Sequence, residues 1–228
     1  MKLTLSHLKA EVPGVVSFVF QLSEPVAWKA GQFFHYVLHH RPTDDRGSDR
    51  WFTIAAAPEE KVVMITTRFA ADKESTFKQN LAALKPGDTI EVADLDGDFT
   101  VEDLKKNYVF IAGGIGITPF RAILKEIDLH GDKPSILLLY ANRDQNVVYR
   151  EELEGFAKNN PNFKIEYVFS PERIDVARIQ KSVPNMKEPT FYVSGPEPMV
   201  ESLSNALKDA DVPGDHVKQD QFPGYPAE

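Results

Sequence analysis

Short segments of alternating apolar and polar residues fill the first part of the chain and predict half-buried β-strands. Turn sequences such as VPGV, KAGQ and KPGD separate these segments. Between them, Phe77, Leu81 and Leu84 recur at helical spacing and predict one helix. The predicted strands cover residues 3–12, 15–22, 33–39, 51–57, 61–68 and 89–93. Six antiparallel strands with a single helix favour a small closed β-barrel with a helical cap.

The pattern of apolar and polar residues changes at Asn107, where short apolar runs begin to alternate with amphipathic segments. The runs YVFIAGG, SILLLYA, FKIEYVFS and TFYVSG predict buried strands, and the segments after them predict helices. This alternation predicts a mainly parallel sheet covered by helices on both faces. We therefore predict two domains: a six-stranded antiparallel β-barrel over residues 1–103 and an α/β parallel-sheet domain over residues 104–228.

Composition and charge narrow the class of protein. Hydrophobic residues make up 42% of the 228 residues, enough for packed cores, and the formal net charge of −8 argues against a nucleic-acid-binding protein. The chain has no cysteine, which excludes disulfide scaffolds, thiolate catalysis and cysteine-bound iron–sulfur clusters. No apolar run is long enough to cross a bilayer, and the N-terminus predicts a strand rather than a signal peptide. We therefore expect a cytoplasmic protein without a membrane span.

The strongest chemical signal is the segment AGGIGITPF, which follows a predicted buried strand and opens a helix. Gly113, Gly114 and Gly116 lack side chains that would hold a ligand away from the backbone. Thr118 can cap the helix and Pro119 fits its first turn. The unpaired N–H groups of that helix start would favour a phosphate. The dinucleotide-binding pattern of three spaced glycines is not met, so close packing of strand and helix stays an alternative explanation.

Two further strand ends carry polar or small residues. Ser194 and Gly195 follow the run TFYV, and Pro196 can start the next helix. Asn142 and Arg143 come directly after the run SILLLYA. Because the carboxyl ends of parallel strands share one edge of a sheet, these ends and the glycine-rich turn predict a nucleotide-binding crevice there.

Two patterns suggest a metal site, and both are discounted. The acidic segment DLDGDF has Phe99 where a calcium loop needs glycine and Lys105 where it needs glutamate. Three histidines near the third strand lack a carboxylate in the spacing expected of metal ligands; they are His35, His39 and His40. We predict no metal site.

Seven short motifs occur in the order AGQF, RWFT, STFK, KPGD, GDF, GGIGITP and SGPEPM. In order and spacing they resemble the motifs of the ferredoxin–NADP reductase family of flavoproteins. The resemblance covers nearly the whole chain. It implies a six-stranded antiparallel barrel that holds a flavin, followed by an α/β domain that binds a nicotinamide nucleotide. The same architecture is predicted above from periodicity.

The resemblance assigns flavin contacts to the first domain. Arg50 would meet a flavin phosphate, Phe52 would pack on the isoalloxazine ring, and Thr53 would face its N5 atom. Phe52 stands where the family more often has tyrosine, so a phenol hydrogen bond is lost. Trp51 lies on the opposite face of the strand and is assigned to barrel packing or an adenine contact. Further flavin contacts are expected from Thr67, Arg68, Ser75 and Thr76.

The resemblance also assigns nucleotide contacts to the second domain. The turn that would cradle the nucleotide comprises Gly113, Gly114, Gly116, Thr118 and Pro119. Residues expected at the same crevice are Asn142, Arg143, Gly195, Pro196 and Met199. Ser194 replaces the cysteine that the family usually has beside the nicotinamide. Ser170 and Arg173 would contact a 2′-phosphate, although Glu172 lies between them and would repel it.

The C-terminal segment DQFPGY contains two aromatic residues. In many members of the family, an aromatic residue near the C-terminus covers the exposed face of the flavin. Phe222 is the first candidate for that role and Tyr225 is the second. A strand or loop that closes the sheet is the alternative.

These assignments predict an NAD(P)H-dependent flavoprotein reductase with Thr53 and Phe222 beside the reacting atoms. The family favours FAD over FMN, and Ser170 with Arg173 slightly favours NADPH over NADH. Because the chain lacks cysteines for an iron–sulfur cluster, the electron acceptor would be a separate ferredoxin- or flavodoxin-like protein or a small oxidant. Two alternatives stay open: a reductase that uses free flavin as a substrate, and a non-catalytic flavin- or nucleotide-binding module. The sequence does not indicate the oligomeric state.

Overall fold

The first half of the molecule is a curled antiparallel sheet. The computed structural model describes residues 1–69 and 74–222. Six strands form the first sheet in the order β4-β3-β6-β1-β2-β5. Their bounds are β1 Lys2–Val12, β2 Val15–Leu22, β3 Phe33–Val37, β4 Asp49–Thr53, β5 Val63–Arg68 and β6 Thr89–Asp96, with helix α1 at Thr76–Ala83. The predicted six-stranded antiparallel architecture is confirmed, but the barrel is not closed: the sheet is a half-barrel whose edge strands, β4 and β5, do not pair with each other.

The second half is a five-stranded parallel sheet in the order β11-β10-β7-β8-β9. Its strands are β7 Asn107–Gly113, β8 Ser135–Asn142, β9 Phe163–Phe169, β10 Thr190–Pro196 and β11 Val217–Phe222. Its helices are α2 Ile117–His130, α3 Arg150–Asn159, α4 Val176–Ser182 and α5 Glu197–Asp209. The predicted α/β architecture is confirmed, and the C-terminal segment contributes the edge strand β11. Among the described residues, no helix is long and apolar enough to span a membrane.

Strand bounds differ from the prediction mainly at β4. The sequence predicts a strand over residues 51–57, whereas the observed strand ends at Thr53. The chain then turns, because the Ala57 N–H donates to the Glu60 carboxylate at 2.8 Å and a 3-10 turn follows at Pro58–Glu60. The three alanines after the strand are buried in the core, so their apolar character reflects packing rather than sheet pairing.

Strand β7 shows why the parallel sheet needs helices on both faces. Its residues are buried without interruption after Asn107. Val109 and Ile111 belong to the apolar cluster under α5, whereas Phe110 and Ala112 belong to the cluster under α2 and α3. Continuous apolar runs are typical of strands that are covered on both sides. Polar side chains can therefore gather at the carboxyl ends of these strands.

One apolar core runs from the half-barrel into the parallel sheet. Phe99 follows β6, and its ring packs 5.4 Å from Phe120 of α2 and 4.9 Å from Tyr192 of β10. The Tyr192 hydroxyl donates to the Thr100 carbonyl at 2.7 Å. Gly31 lies so close that a Cβ atom there would be 2.1 Å from the Phe99 carbonyl oxygen. These contacts fix one sheet against the other.

A buried charged group also crosses this boundary. Arg121 of α2 binds the carboxylates of Glu60 and Glu152, and its Nη1 donates to the Ala55 carbonyl at 3.0 Å. Glu60 belongs to the 3-10 turn after β4, whereas Glu152 lies in α3. The Arg121 guanidinium therefore ties two helices of the α/β sheet to the half-barrel.

Candidate functional site

The inner face of β4 carries the first group of predicted site residues. Arg50 and Phe52 alternate with Trp51 along the strand and face α1. The Phe52 ring lies 5.9 Å from the Phe77 ring, and the Arg50 guanidinium lies 5.5 Å from the centre of the same ring. A cation and an aromatic face therefore stand side by side between β4 and α1, as the motif RWFT predicts. Their contact with a flavin stays a prediction.

Within the described part of the chain, two buried polar atoms on β3 and β4 have no hydrogen-bond partner. They are Nη2 of Arg50 and the hydroxyl of Tyr36, its register partner on β3. Burial raises the pKa of Tyr36 well above its ordinary value, so the hydroxyl keeps its proton. Because buried polar groups are normally hydrogen-bonded, two orphaned donors fit a ligand with acceptor oxygens. Sequence reasoning missed Tyr36, which looks like an ordinary apolar strand position.

Trp51 lies on the outer face of the half-barrel and is 47% exposed. Its ring stacks on that of His35 at 4.5 Å. His35 also lies 2.8 Å from a carboxylate oxygen of Asp49 and 3.5 Å from one of Asp94. The histidine therefore has the carboxylate neighbours that the spacing along the chain did not reveal. In residues 1–69 and 74–222, neither these three side chains nor any other group of His, Cys, Asp or Glu is arranged so that it could hold a metal ion.

Strand β5 brings the predicted flavin residues next to the predicted nucleotide residues. Thr67 is buried in the strand, Arg68 ends it, and the strand contacts the 3-10 turn Gly114–Gly116 that follows β7. The Tyr140 hydroxyl donates to the Gly114 carbonyl at 3.0 Å. Burial raises the pKa of this hydroxyl, and the positive charge of Arg68 opposes that rise. Thr53, at the end of β4, is 5% exposed.

The glycines of the 113–119 turn allow two backbones to meet. A Cβ atom at Gly116 would lie 2.3 Å from the Ser194 carbonyl oxygen, and one at Gly113 would lie 2.4 Å from Sδ of Met199. Gly195 in turn packs on the backbone of Gly113. Gly114 differs, because it has φ +53° and nothing within 4 Å of an added Cβ. Two of the glycines thus serve close packing, and Gly114 leaves open space.

The helix after this turn begins at Ile117, with Gly116 as its N-cap. Thr118 does not cap it, which corrects the sequence prediction: its hydroxyl donates to the Ile115 carbonyl at 3.1 Å. Thr118 lies inside the first turn, after the N-cap position. Its hydroxyl therefore cannot accept a hydrogen bond from the N–H groups that an N-cap side chain would satisfy. Pro119 fits the first turn as predicted.

A carboxylate that sequence reasoning missed lies beneath the same turn. Asp220 of β11 is the register partner of Ser194, whose buried hydroxyl donates to Oδ2 of Asp220 at 3.1 Å. Burial raises the pKa of Asp220 to about 6, and the Ser194 hydrogen bond opposes that rise. The two residues are 26 positions apart in the sequence. No local pattern could pair them.

This buried carboxylate predicts a pH-dependent stability. The folded-state pKa of Asp220 lies above its ordinary 3.8, so the cost of its charge is absent at pH 3.8 and below and fully present above pH 6. At pH 8, Asp220→Asn should raise the free energy of unfolding by about 2–3 kcal/mol, because one pKa unit corresponds to about 1.4 kcal/mol. Urea unfolding at several pH values measures it. A gain that does not shrink as the pH falls would contradict this account.

The β8 and β9 strand ends hold the remaining predicted nucleotide residues. Asn142 pairs with Phe169, its carbonyl accepts the Ser170 N–H at 3.1 Å, and its Nδ2 is buried without a partner. Arg143 and Arg173 are on the loops that follow, where Arg173 is exposed. The carboxylate of Glu172, expected to repel a phosphate, forms an ion pair with a residue of α4, Arg178.

Arg150 adds a cation that the sequence did not single out. Its guanidinium lies 4.5 Å from the Tyr167 ring centre and 5.9 Å from that of Phe169. The Tyr167 hydroxyl is buried without a hydrogen-bond partner. Phe169 is the register partner of Asn142, so the two aromatic rings and the arginine lie at the same strand ends.

The C-terminal aromatic candidate lies at the same edge. Phe222 ends β11 and pairs with Pro196, which is the N-cap of α5. Met199, in the first turn of α5, lies against Gly113. Phe222 is therefore part of a strand, as the alternative interpretation predicts, and its role over a flavin stays a prediction. Tyr225 lies outside the described residues.

Known proteins share parts of this sequence and this fold. Residues 110–205 match the family described as "Oxidoreductase NAD-binding domain". The chain is 32% identical over 142 residues to the toluate 1,2-dioxygenase electron transfer component of Pseudomonas putida, and the match covers 59% of this chain and 42% of that one. It is 27% identical over 232 residues to the ferredoxin reductase component of the 3-ketosteroid-9-alpha-monooxygenase of Rhodococcus rhodochrous, covering 96% and 64%.

Among solved structures, the ferredoxin-NADP+ reductase of Plasmodium falciparum superposes with a TM-score of 0.83 at 18% identity. The match covers 97% of this chain and 95% of that one, and at this identity it establishes the fold. The chain spans about half the length of the curated relatives it matches, namely 42% of the toluate protein and 64% of the ketosteroid protein. The resemblance to the ferredoxin–NADP reductase family is confirmed.

Proposed function

Because the chain shares the fold of ferredoxin–NADP reductases and matches an oxidoreductase NAD-binding domain, we propose that it is an NAD(P)H-dependent flavoprotein reductase. Residues 1–103 would hold the flavin, and residues 104–228 would bind the nicotinamide nucleotide. The protein would act in the cytoplasm. This assignment concerns a chain that spans only part of the length of its curated relatives.

One observation carries the proposal: each half of the chain has a candidate ligand site, and the two sites differ in chemistry. Orphaned donors of Arg50 and Tyr36 fit a flavin with phosphate oxygens between β4 and α1. The glycine-rich turn offers open space at Gly114 for a nucleotide, and β5 contacts that turn. A flavin and a nicotinamide must approach each other for electrons to pass, and the strand that contacts the turn carries two of the predicted flavin residues, Thr67 and Arg68.

The residues of the chain would act mainly by positioning. A bound flavin would supply the redox chemistry for hydride transfer from a nicotinamide. Phe52 would hold the flat ring and Thr53 would direct its hydroxyl to the reacting edge. The turn around Gly114 would bring the nucleotide to near-attack distance, about 3–3.5 Å, where orientation lowers the barrier most. Asn142, whose amide nitrogen is buried, lies at the same edge.

FAD is proposed as the cofactor, with NADPH slightly favoured over NADH. Glu172 lies between the two candidate 2′-phosphate residues, Ser170 and Arg173. Its charge is paired with Arg178, so its repulsion of a phosphate is weaker than the sequence indicates. The exposed guanidinium of Arg173 can then offer a cation to the phosphate.

Arg173→Ala should raise KM for NADPH about tenfold and leave KM for NADH unchanged, because one charge-assisted hydrogen bond to the 2′-phosphate is lost. Steady-state kinetics with both nucleotides measures this. Lys181→Ala is the matched control, since it removes another exposed cation, from α4. An equal rise in both KM values would contradict the assignment of Arg173 to a 2′-phosphate subsite.

The electron acceptor is proposed to be a separate redox protein or a small oxidant. Two of the relatives are, by name, an electron transfer component and a ferredoxin reductase component of oxygenases. This supports a partner of that kind without identifying it. A reductase that takes free flavin as its substrate is the second candidate; a preparation that is colourless yet active with added flavin would favour it.

The proposal is tested by mixing the purified protein anaerobically with NADH or NADPH. The expected result is bleaching of the flavin absorbance near the visible maximum, followed by reoxidation with ferricyanide. A protein that binds flavin but is never bleached by either nucleotide would be a binding module and would overturn the enzyme assignment.

A further inference from the structure

We propose that the loop between β3 and β4, residues 38–48, is a latch whose Asp44 competes with a flavin phosphate for the start of α1. The inference rests on the proposed function, because it concerns the site that would hold the flavin. It adds a regulation of that site: flavins that carry phosphate must displace a carboxylate of the protein itself.

The latch is fastened to the first residue of α1. The Thr76 N–H donates to Oδ2 of Asp44 at 2.9 Å, and the Asp44 N–H donates to the Thr76 hydroxyl at 3.1 Å. Nε2 of His40 lies 2.9 Å from the same hydroxyl. The Thr76 N–H, helped by Arg46, lowers the pKa of Asp44, so its carboxylate is charged at neutral pH. An anion of the protein therefore sits where a helix start favours an anion.

The same loop also engages the arginine predicted to meet the phosphate. Nη1 of Arg50 donates to the carbonyl of Arg46 at 2.5 Å and to that of Asp49. Its Nη2 is buried without a partner. The proposed phosphate site has two halves, the helix start and the guanidinium. Both are thus hydrogen-bonded to residues 44–49.

Electrostatics makes this arrangement competitive. A flavin phosphate and the Asp44 carboxylate are both anions, and two like charges at one helix start repel each other. The phosphate can bind fully only when Asp44 leaves the Thr76 N–H. Arg46 provides an alternative partner for the released carboxylate, since its Nη2 already lies 2.8 Å from Oδ2 of Asp44 at the exposed side of the loop.

The test uses the full chain with its flavin removed, titrated with riboflavin, FMN and FAD. Asp44→Asn keeps the size of the side chain and removes its charge. It should lower Kd for FMN and FAD about tenfold, roughly 1.4 kcal/mol, and leave Kd for riboflavin, which has no phosphate, within about twofold. Asp45→Asn is the matched control: it removes an exposed neighbouring charge and should change none of the three.

Each other outcome is decisive. If Asp44→Asn weakens all three flavins, or tightens riboflavin as much as FAD, Asp44 only supports the fold of the loop and the latch is wrong. If the two aspartate variants behave alike, net charge explains the effect and the latch is again wrong. If neither the parent protein nor its variants bind any flavin, the proposed function itself fails, and the latch with it.

Discussion

Arg121→Met is expected to lower the free energy of unfolding by roughly 3–5 kcal/mol, the cost of removing one partner from a buried ion pair. Arg121 is 6% exposed and forms ion pairs with both Glu60 and Glu152. The variant would leave two carboxylates near each other in a poorly solvated place, and the Ala55 carbonyl would lose its donor. Urea unfolding at pH 7 measures the loss by linear extrapolation.

Arg178→Met provides the matched comparison. Arg178 also binds two carboxylates, those of Glu166 and Glu172, but it lies at the surface of α4. Such exposed pairs contribute at most about 1 kcal/mol. If Arg121→Met costs no more than Arg178→Met, the buried group does not hold the two sheets together. Adding Glu60→Gln and Glu152→Gln to Arg121→Met should recover part of the loss.

Gly116→Ala should reduce kcat/KM for NADPH at least about 100-fold. The added Cβ would lie 2.3 Å from the Ser194 carbonyl oxygen and 2.7 Å from Gly195 Cα, and backbone atoms cannot rotate away. The turn would have to move outward, and a displacement of about 1 Å in a positioning element can cost on the order of 100-fold in rate. Stopped-flow reduction of the bound flavin measures the effect directly.

Gly155→Ala is the control for this substitution. Gly155 lies within α3, where an added Cβ would meet nothing within 4 Å. Alanine is favoured over glycine inside a helix by about 1 kcal/mol, so this variant should be slightly more stable and fully active. Wild-type rates in Gly116→Ala would show that the contact between the two turns is not needed for nucleotide binding.

Periodicity in the sequence was enough to predict both sheets and the edge at which polar residues gather. The runs around Phe110 and Leu138 are apolar without interruption because helices cover both faces of the sheet. The error at residues 51–57 has a local cause: Ala55 and Ala57 look like strand residues but pack into the core after the strand has ended.

Other features could not be predicted because their partners are far apart along the chain. Asp220 accepts a hydrogen bond from Ser194 on the neighbouring strand. Arg121 forms ion pairs with one carboxylate in the turn after β4 and one in a neighbouring helix. In the sequence, Asp44 is one acidic residue of a polar loop. Nothing there indicates that the Thr76 N–H donates to its carboxylate. The register of strands and the packing of loops on helices create these pairs.

The ring of Phe99 has a consequence for engineering. It follows the last strand of the half-barrel yet packs among aromatic side chains of the parallel sheet, including Phe120 and Tyr192. Chimeras that combine the half-barrel of one parent with the parallel sheet of another would therefore have aromatic side chains at this boundary that do not fit each other. A crossover that works would have to carry Gly31, Phe99, Phe120 and Tyr192 together, although they are scattered along the chain. Because the two halves share one apolar core, we expect that exchanging either half alone would destabilise the protein.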